Sequence, residues 1–131
     1  MKIESRGSLI DSSAFLALVY NEDTLKNTEK YFHNSYMSVV NASECLIVLT
    51  RNGMPLDVAK NLLESLIGKF LPCEYHDAEF ISQTKKDNSH LGLSLGDCVC
   101  LALGKKLSLQ IVTADREWTK AVGSSKIICL R

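Results

Sequence analysis

Ser94-Leu95-Gly96-Asp97-Cys98-Val99-Cys100-Leu101-Ala102-Leu103, followed by Leu109-Gln110-Ile111-Val112-Thr113-Ala114-Asp115, decides how this chain is read. Ser94 with Asp97 three residues on is a capping pair, and the apolar spacing behind it predicts a helix over Leu95–Leu107. Leu109–Thr113 is the clearest strand in the sequence, and a helical turn through Trp118 follows it. An acid therefore opens the helix and another closes the strand. The same pattern recurs upstream. Leu9–Asp11 reads as a short strand, after which Ser12 or Ser13 can cap a helix over about Ala14–Val19. Tyr36–Val40 reads as a β-branched strand, and Asn41 or Ser43 then caps a helix that carries Glu44 and stops at Arg51-Asn52-Gly53.

Between these units, Asp23–Phe32 is a polar helical stretch. Pro55 suits the first turn of a helix whose apolar positions are Val58, Leu62, Leu63, Leu66 and Ile67. Phe70–Tyr75 is a third strand, placed at a sheet edge by Pro72. Asp77 can cap a helix over Ala78–Asp87, and Lys126–Leu130 is the last strand. Strands alternating with helices over short connections predict an α/β fold, in which a mostly parallel sheet is covered on both faces.

At 131 residues the chain fits one domain, and a domain of that size buries roughly two-thirds of its unfolded surface. No repeat, low-complexity tract or linker interrupts it. The 46% apolar and 23% charged fractions are ordinary for a globular protein, and no apolar run approaches a membrane span of ~20 residues. Met1–Ser8 lacks the apolar core of a signal peptide, so a cytoplasmic location is expected, with no membrane partner. The five cysteines sit mostly in apolar runs without a Cys-x-x-Cys spacing, which predicts reduced thiols rather than a zinc site or disulfides. A net charge of +0 argues against a sequence-independent nucleic-acid coat protein. It leaves room for a nuclease whose acidic site offsets basic residues elsewhere.

Asp11, Glu44, Asp97 and Asp115 each lie beside or within an apolar stretch, where an unpaired charge is costly. Each has a simpler reading: a turn residue for Asp11, an ion pair with Arg51 for Glu44, a cap partner for Asp97 and a helix cap for Asp115. Asp11 and Asp115 close strands, however, while Glu44 and Asp97 lie near the starts of helices on that same side of the sheet, the side on which such folds bind ligands. Four acids on one rim need a hard cation, which points to Mg²⁺ or Mn²⁺ and to phosphodiester hydrolysis.

These segments, Leu9-Ile10-Asp11-Ser12-Ser13, Asn41-Ala42-Ser43-Glu44, Leu95-Gly96-Asp97 and Thr113-Ala114-Asp115, resemble the acidic motifs of PIN-domain ribonucleases. The likeness runs from about Leu9 to the C-terminus, and length and spacing are most similar to VapC-type toxins of toxin–antitoxin pairs. It implies a three-layer α/β/α domain spanning residues 1–131 and a metal-dependent endoribonuclease. Asp11, Glu44, Asp97 and Asp115 would hold one or two Mg²⁺ or Mn²⁺ ions, with Ser12 or Ser13 and Thr113 as supporting polar residues. RNA as substrate, a cognate antitoxin over the acidic cleft and a homodimer come from the same resemblance. Two features depart from the family: Ser5-Arg6-Gly7-Ser8 where an apolar run is usual, and Trp118 where some members carry a further acid.

Substrate contacts are expected from basic residues near the rim, with Arg51, Lys85, Lys86 and Arg116 as candidates. Lys105 and Lys106 instead suit the end of their helix. His33, His76 and His90 are isolated in polar stretches and read as surface residues. The apolar positions Leu46, Val48, Leu49, Leu62, Leu63, Leu66 and Ile67 fit either a core or a homodimer face. Two other readings compete. A receiver-type signalling domain would need an acidic pair after the first strand, and Asp11 stands alone. A PIN-like module for binding RNA or protein without catalysis would differ from the enzyme in a metal titration.

Overall fold

In the computed structural model, residues 7–131 are described except Asp23, Leu25 and Ser124. Five short strands, β1 (Ser8–Ile10), β2 (Ser35–Ser38), β3 (Lys69–Leu71), β4 (Gln110–Thr113) and β5 (Ile127–Cys129), form one sheet in the order β3-β2-β1-β4-β5. Every neighbouring pair is parallel. The helices are α1 (Ser12–Val19), α2 (Val39–Arg51), α3 (Leu56–Leu66), α4 (Asp77–Asp87) and α5 (Leu95–Leu107).

Strand alternation divides the side chains between two cores. Leu9, Tyr36, Leu71 and Ile111 meet α5 residues such as Val99, Leu101 and Leu103, with Ile81 of α4 packed against them. Ile10, Met37 and Val112 point to the other face, against Phe15 of α1, Cys45 and Leu49 of α2 and Leu63 of α3. The result is the expected three-layer α/β/α arrangement. After β1 the chain adds β2 and β3 on one side, then returns to add β4 and β5 on the other. The reversal falls between β1 and β4, so the crevice outside their carboxyl ends is where this topology accepts a ligand.

Gly7 and Ser8 explain how a weakly apolar segment starts the central strand. A Cβ at Gly7 would stand 2.4 Å from the Tyr36 ring. The buried Ser8 hydroxyl accepts from Gln110 Nε2 at 2.8 Å. Ser5 and Arg6, like the rest of Met1–Arg6, lie outside the described residues.

Several local expectations change. Val39 and Val40 belong to the first turn of α2, because the Ser38 hydroxyl accepts from the Asn41 backbone N–H and starts the helix there. Ser38 is therefore the cap, rather than Asn41 or Ser43. Pro55 stands at the N-cap of α3, one residue before its first turn. The third strand stops at Leu71, where Pro72 has no N–H to continue a ladder, and β3 is an edge strand as expected. Asp77 begins α4 and accepts from the Glu74 N–H ahead of it. Among the described residues of the polar stretch Asp23–Phe32, the helical element is a 3₁₀ turn at Thr28–Phe32, and Asn27 before it adopts a left-handed φ of 61° that no α-helix passes through. The apolar positions offered for a dimer face are mostly consumed at home: Leu49, Leu63 and Ile67 are buried in the core, and Leu46, Leu62 and Leu66 pack against it.

Candidate active site

The reversal between β1 and β4 brings the predicted acids to one crevice. Asp11 follows the last residue of β1 and takes the N-cap position of α1, with only 2% of its surface exposed. Thr113 ends β4, and Asp115 caps the 3₁₀ turn Arg116–Lys120 beyond it. Glu44 stands in the second turn of α2, and Asp97 in the first turn of α5.

Hydroxyls knit the centre of this crevice. Ser13 Oγ donates to Asp11 Oδ2, and Thr113 Oγ1 donates to the same oxygen at 3.0 Å. Ser13 Oγ in turn accepts from the Ala114 N–H at 3.0 Å, which locks α1 against the end of β4. Ser12 Oγ lies between two acids, 3.0 Å from Glu44 Oε1 and 3.5 Å from Asp11 Oδ1. Both serines thus contact the acids, so the choice left open between them resolves into two separate tasks. Asp97 closes a full capping box: the Ser94 N–H donates to Asp97 Oδ2 at 2.9 Å, and Ser94 Oγ accepts from the Asp97 N–H at 3.2 Å. The Asp115 Oδ1 atom accepts from the Glu117 N–H at 3.0 Å. The simpler capping readings of Asp97 and Asp115 are therefore true as geometry.

Those bonds use only one side of each carboxylate. Among the described residues, Glu44 Oε2, Asp97 Oδ1 and Asp115 Oδ2 have no hydrogen-bond donor, and Asp11 Oδ1 has only the long contact from Ser12. No ion pair among the described residues involves any of the four; the paired acids are Glu22, Glu74, Asp77 and Glu117. The proposed Glu44–Arg51 bridge does not form, because Arg51 ends α2 two turns away and is exposed.

The charges feel one another. Burial pushes the Asp11 carboxyl up from 3.8 to about 6; the Ser13 and Thr113 hydrogen bonds oppose that rise, and the charges of Asp97 and Glu44 add to it. Burial also raises Asp97, with Glu44 and Asp115 adding to the effect against its Ser94 hydrogen bonds. The buried Cys45 and Cys100 thiols, raised first by burial and then by Asp11, stay protonated and offer neither a nucleophile nor a thiolate ligand.

Oxygen-only donors, each with a free lone-pair face and no protein cation opposite, suit a hard divalent ion. As the side chains stand, no group of three or more acids among the described residues closes on a single point. The local bonds account for that: Ser12 separates Asp11 from Glu44, and Asp97 is held back by its own cap. The crevice fits a divalent cation in its donor chemistry, with Asp11, Glu44, Asp97 and Asp115 as the residues that would hold it.

Of the basic candidates, Arg116 is exposed immediately after Asp115. Lys85 and Lys86 end α4 and border a groove of about 840 Å³ between α4 and α5, lined also by Val40, Ile81, Leu95 and Cys98. The Lys85 ammonium donates to the Leu93 carbonyl. Arg51 lies at the far end of α2 from the acids. Lys106 pairs with buried Asp77 at 2.6 Å, and that bond with the neighbouring charges lowers the Asp77 carboxyl despite its burial.

Gly96 was not singled out from the sequence. A Cβ there would stand 2.3 Å from Glu44 Oε2 and 2.5 Å from Oε1, so the missing side chain is what lets the Glu44 carboxylate lie against the first turn of α5. Only its place beside Asp97 hinted at this. Gly96→Ala gains helix propensity of about 1 kcal/mol but must displace the carboxylate. We expect near-unchanged thermal stability with at least about tenfold loss of any RNA-cleaving activity that Glu44 supports. Cleavage rates at the wild-type level would refute the placement of Glu44.

The profile of the PIN domain matches residues 8–123. The chain belongs to the PIN domain family. Solved structures of similar fold include VapBC2 from Rickettsia felis bound to a DNA fragment from its promoter (TM-score 0.74, 8% identity, covering 95% of this chain and 98% of that one). DNA-bound VapBC from Salmonella typhimurium gives a TM-score of 0.73 at 14% identity, over 94% and 97% of the two chains. VapC20 from Mycobacterium tuberculosis, a sarcin–ricin loop cleaving toxin, gives 0.70 at 15% identity over 88% and 95%. No curated protein matches the sequence. Among the described residues of this PIN domain, no helix is long and apolar enough to cross a membrane.

Proposed function

We propose that this PIN domain is a Mg²⁺- or Mn²⁺-dependent endoribonuclease and the toxin of a toxin–antitoxin pair. The observation that carries this reading is the set of four acids in one crevice, each with an oxygen that takes at most one long 3.5 Å contact and, among the described residues, none with a protein cation. Asp11, Glu44, Asp97 and Asp115 would hold the ion. A bound divalent ion supplies a water of lowered pKa and neutralises charge on the phosphoryl oxygens. The residues of the chain do the positioning: Ser13 and Thr113 fix Asp11, Ser12 spaces it from Glu44, and the capping box sets Asp97. Arg116, next to Asp115, is the basic side chain best placed for a substrate phosphate, with Lys85 and Lys86 along the neighbouring groove.

RNA rather than DNA is supported by the family and by the fold shared with a sarcin–ricin loop cleaving toxin. Structural similarity to toxin–antitoxin complexes supports an antitoxin as partner, and the apolar groove between α4 and α5 is a surface on which its segment would lie. For self-association, the large apolar side chains left exposed on α2 and α3 are Val39, Ile47, Leu56 and Val58. The decisive experiment is cleavage of a mixed tRNA and mRNA pool by the purified protein with Mg²⁺ or Mn²⁺, and with EDTA. Discrete fragments that vanish with EDTA establish the nuclease. Absence of both cleavage and Mn²⁺ binding would favour the non-catalytic binding module.

Metal affinity should depend on pH through Asp11. Its carboxyl, raised to about 6 by burial, must lose its proton to act as a ligand. Below that value affinity should climb up to about tenfold per pH unit and level off above pH 7. Mn²⁺ calorimetry from pH 5 to pH 8 reads this directly, and a flat dissociation constant would remove Asp11 from the ligand set.

A further inference from the structure

Asn41 is wholly buried, yet it stands in the first turn of α2, where a polar side chain would ordinarily face water. Its amide is fully engaged. Ser38 Oγ donates to Asn41 Oδ1 at 2.6 Å while accepting from the Asn41 backbone N–H at 2.9 Å. Asn41 Nδ2 donates to Glu44 Oε1 at 2.8 Å and to the Gly96 carbonyl at 3.2 Å. The orientation of the amide is forced, since a carboxylate and a carbonyl both accept and only the NH₂ end can serve them. One side chain therefore ties the helix of Glu44 to the residue that precedes Asp97 on α5.

We propose that Asn41 is a positioning residue for the metal-binding carboxylates: it holds Glu44 by Oε1 so that Oε2 stays free, and it fixes the spacing between Glu44 and Asp97. This rests on the nuclease reading above. Two donors, Ser12 Oγ and Asn41 Nδ2, converge on Glu44 Oε1, and none among the described residues reaches Oε2. A glutamate two turns into a helix has three rotatable side-chain bonds, and an unanchored carboxylate would sample positions away from the crevice. Asn41 removes that freedom before any ligand arrives. Partners that orient ligating carboxylates typically govern about 10- to 100-fold in metal affinity or activity.

The test is Mn²⁺ calorimetry on the full chain in four forms: wild type, Asn41→Leu, Glu44→Ala and the double variant. Asn41→Leu should bind Mn²⁺ about tenfold more weakly than wild type and lower kcat on an RNA substrate with KM unchanged. In the Glu44→Ala background the same substitution should change Mn²⁺ affinity less than twofold, because there is no carboxylate left to position. An equal loss in both backgrounds would make Asn41 a general support of the fold and overturn the proposal, as would wild-type affinity in Asn41→Leu. If Asn41→Leu fails to unfold cooperatively, Asn41→Ser removes the same donor and carries the comparison. Wild-type protein that binds Mn²⁺ but cuts no RNA would sink the nuclease reading while the affinities still decide the role of Asn41. Wild-type protein that binds no Mn²⁺ overturns both.

Discussion

Asp11→Asn should abolish cleavage and, in metal-free buffer at pH 8, leave the protein more stable than wild type. Both effects come from one cause. The carboxylate is 2% exposed and shares its crevice with Glu44 and Asp97, and burial first, then those charges, raises its carboxyl from 3.8 to about 6. A folded-state pKa above the unfolded one means that the native state holds the proton more tightly. Stability is then undiminished below about pH 4 and declines as pH rises from 3.8 through about 6, where the folded state loses that proton. A shift of this size corresponds to roughly 2–3 kcal/mol at pH 8, as an upper estimate.

Asparagine keeps one oxygen for the Ser13 and Thr113 hydroxyls and removes the charge. Urea denaturation in EDTA should show the variant more stable at pH 8 by about 1–3 kcal/mol, with the gap closing towards pH 4. Added Mn²⁺ should reverse the order, because only the wild type gains from ligand binding. Loss of a charged ligand should lower cleavage by about 10³-fold or more, the scale of several kcal/mol of charge stabilisation. A variant that is active, or less stable than wild type at pH 8, would show that Asp11 is a structural acid. Such opposition between stability and activity is usual where function requires crowded charge.

The sequence exposed the acids because a carboxylate beside Leu9-Ile10 or Ile111-Val112 has no ordinary structural reason to be there. Their placement on one rim then followed from strand–helix alternation, while the Ser94–Asp97 capping pair marked the start of α5 and Pro72 the edge position of β3. What stayed hidden was whatever depends on contacts distant in sequence. Asn41 looks like a helix cap because Asn is a common one; that Ser38 starts the helix three residues earlier is decided by which hydroxyl reaches an N–H. Its true partner, the carbonyl of Gly96, is 55 positions away. Gly96 itself reads as a weak point in a helix until the Glu44 carboxylate is seen lying where its side chain would be. The Glu44–Arg51 pair failed for the opposite reason: helical spacing permits it, but Glu44 is held by Ser12 and Asn41 instead. Apolar spacing on α2 and α3 cannot separate a core from an interface, and here most of the positions are core.

The largest loss of stability is expected from Trp118→Ala, at about 3–5 kcal/mol. Trp118 is completely buried in the core beneath α5, although it sits in a five-residue 3₁₀ turn between a charged Arg116-Glu117 pair and Thr119-Lys120. Its backbone N–H donates to the Asp115 carbonyl at 3.2 Å, so the indole anchors the turn that Asp115 begins. This also explains a departure from the family. A further acidic ligand at this position would point into the apolar core rather than the crevice, where an unpaired charge is untenable. The indole Nε1 is buried without a hydrogen-bond partner among the described residues, so the site carries a cost of its own. Trp118→Phe sheds that unpaired donor along with part of the volume, and the first effect partly offsets the second, leaving a loss of about 1–2 kcal/mol. Urea denaturation separates the two variants. A loss below about 1 kcal/mol for Trp118→Ala would mean the side chain is not packed under α5. In Trp118→Ala that remains folded, Mn²⁺ affinity should fall as well, because the turn that presents Asp115 has lost its anchor.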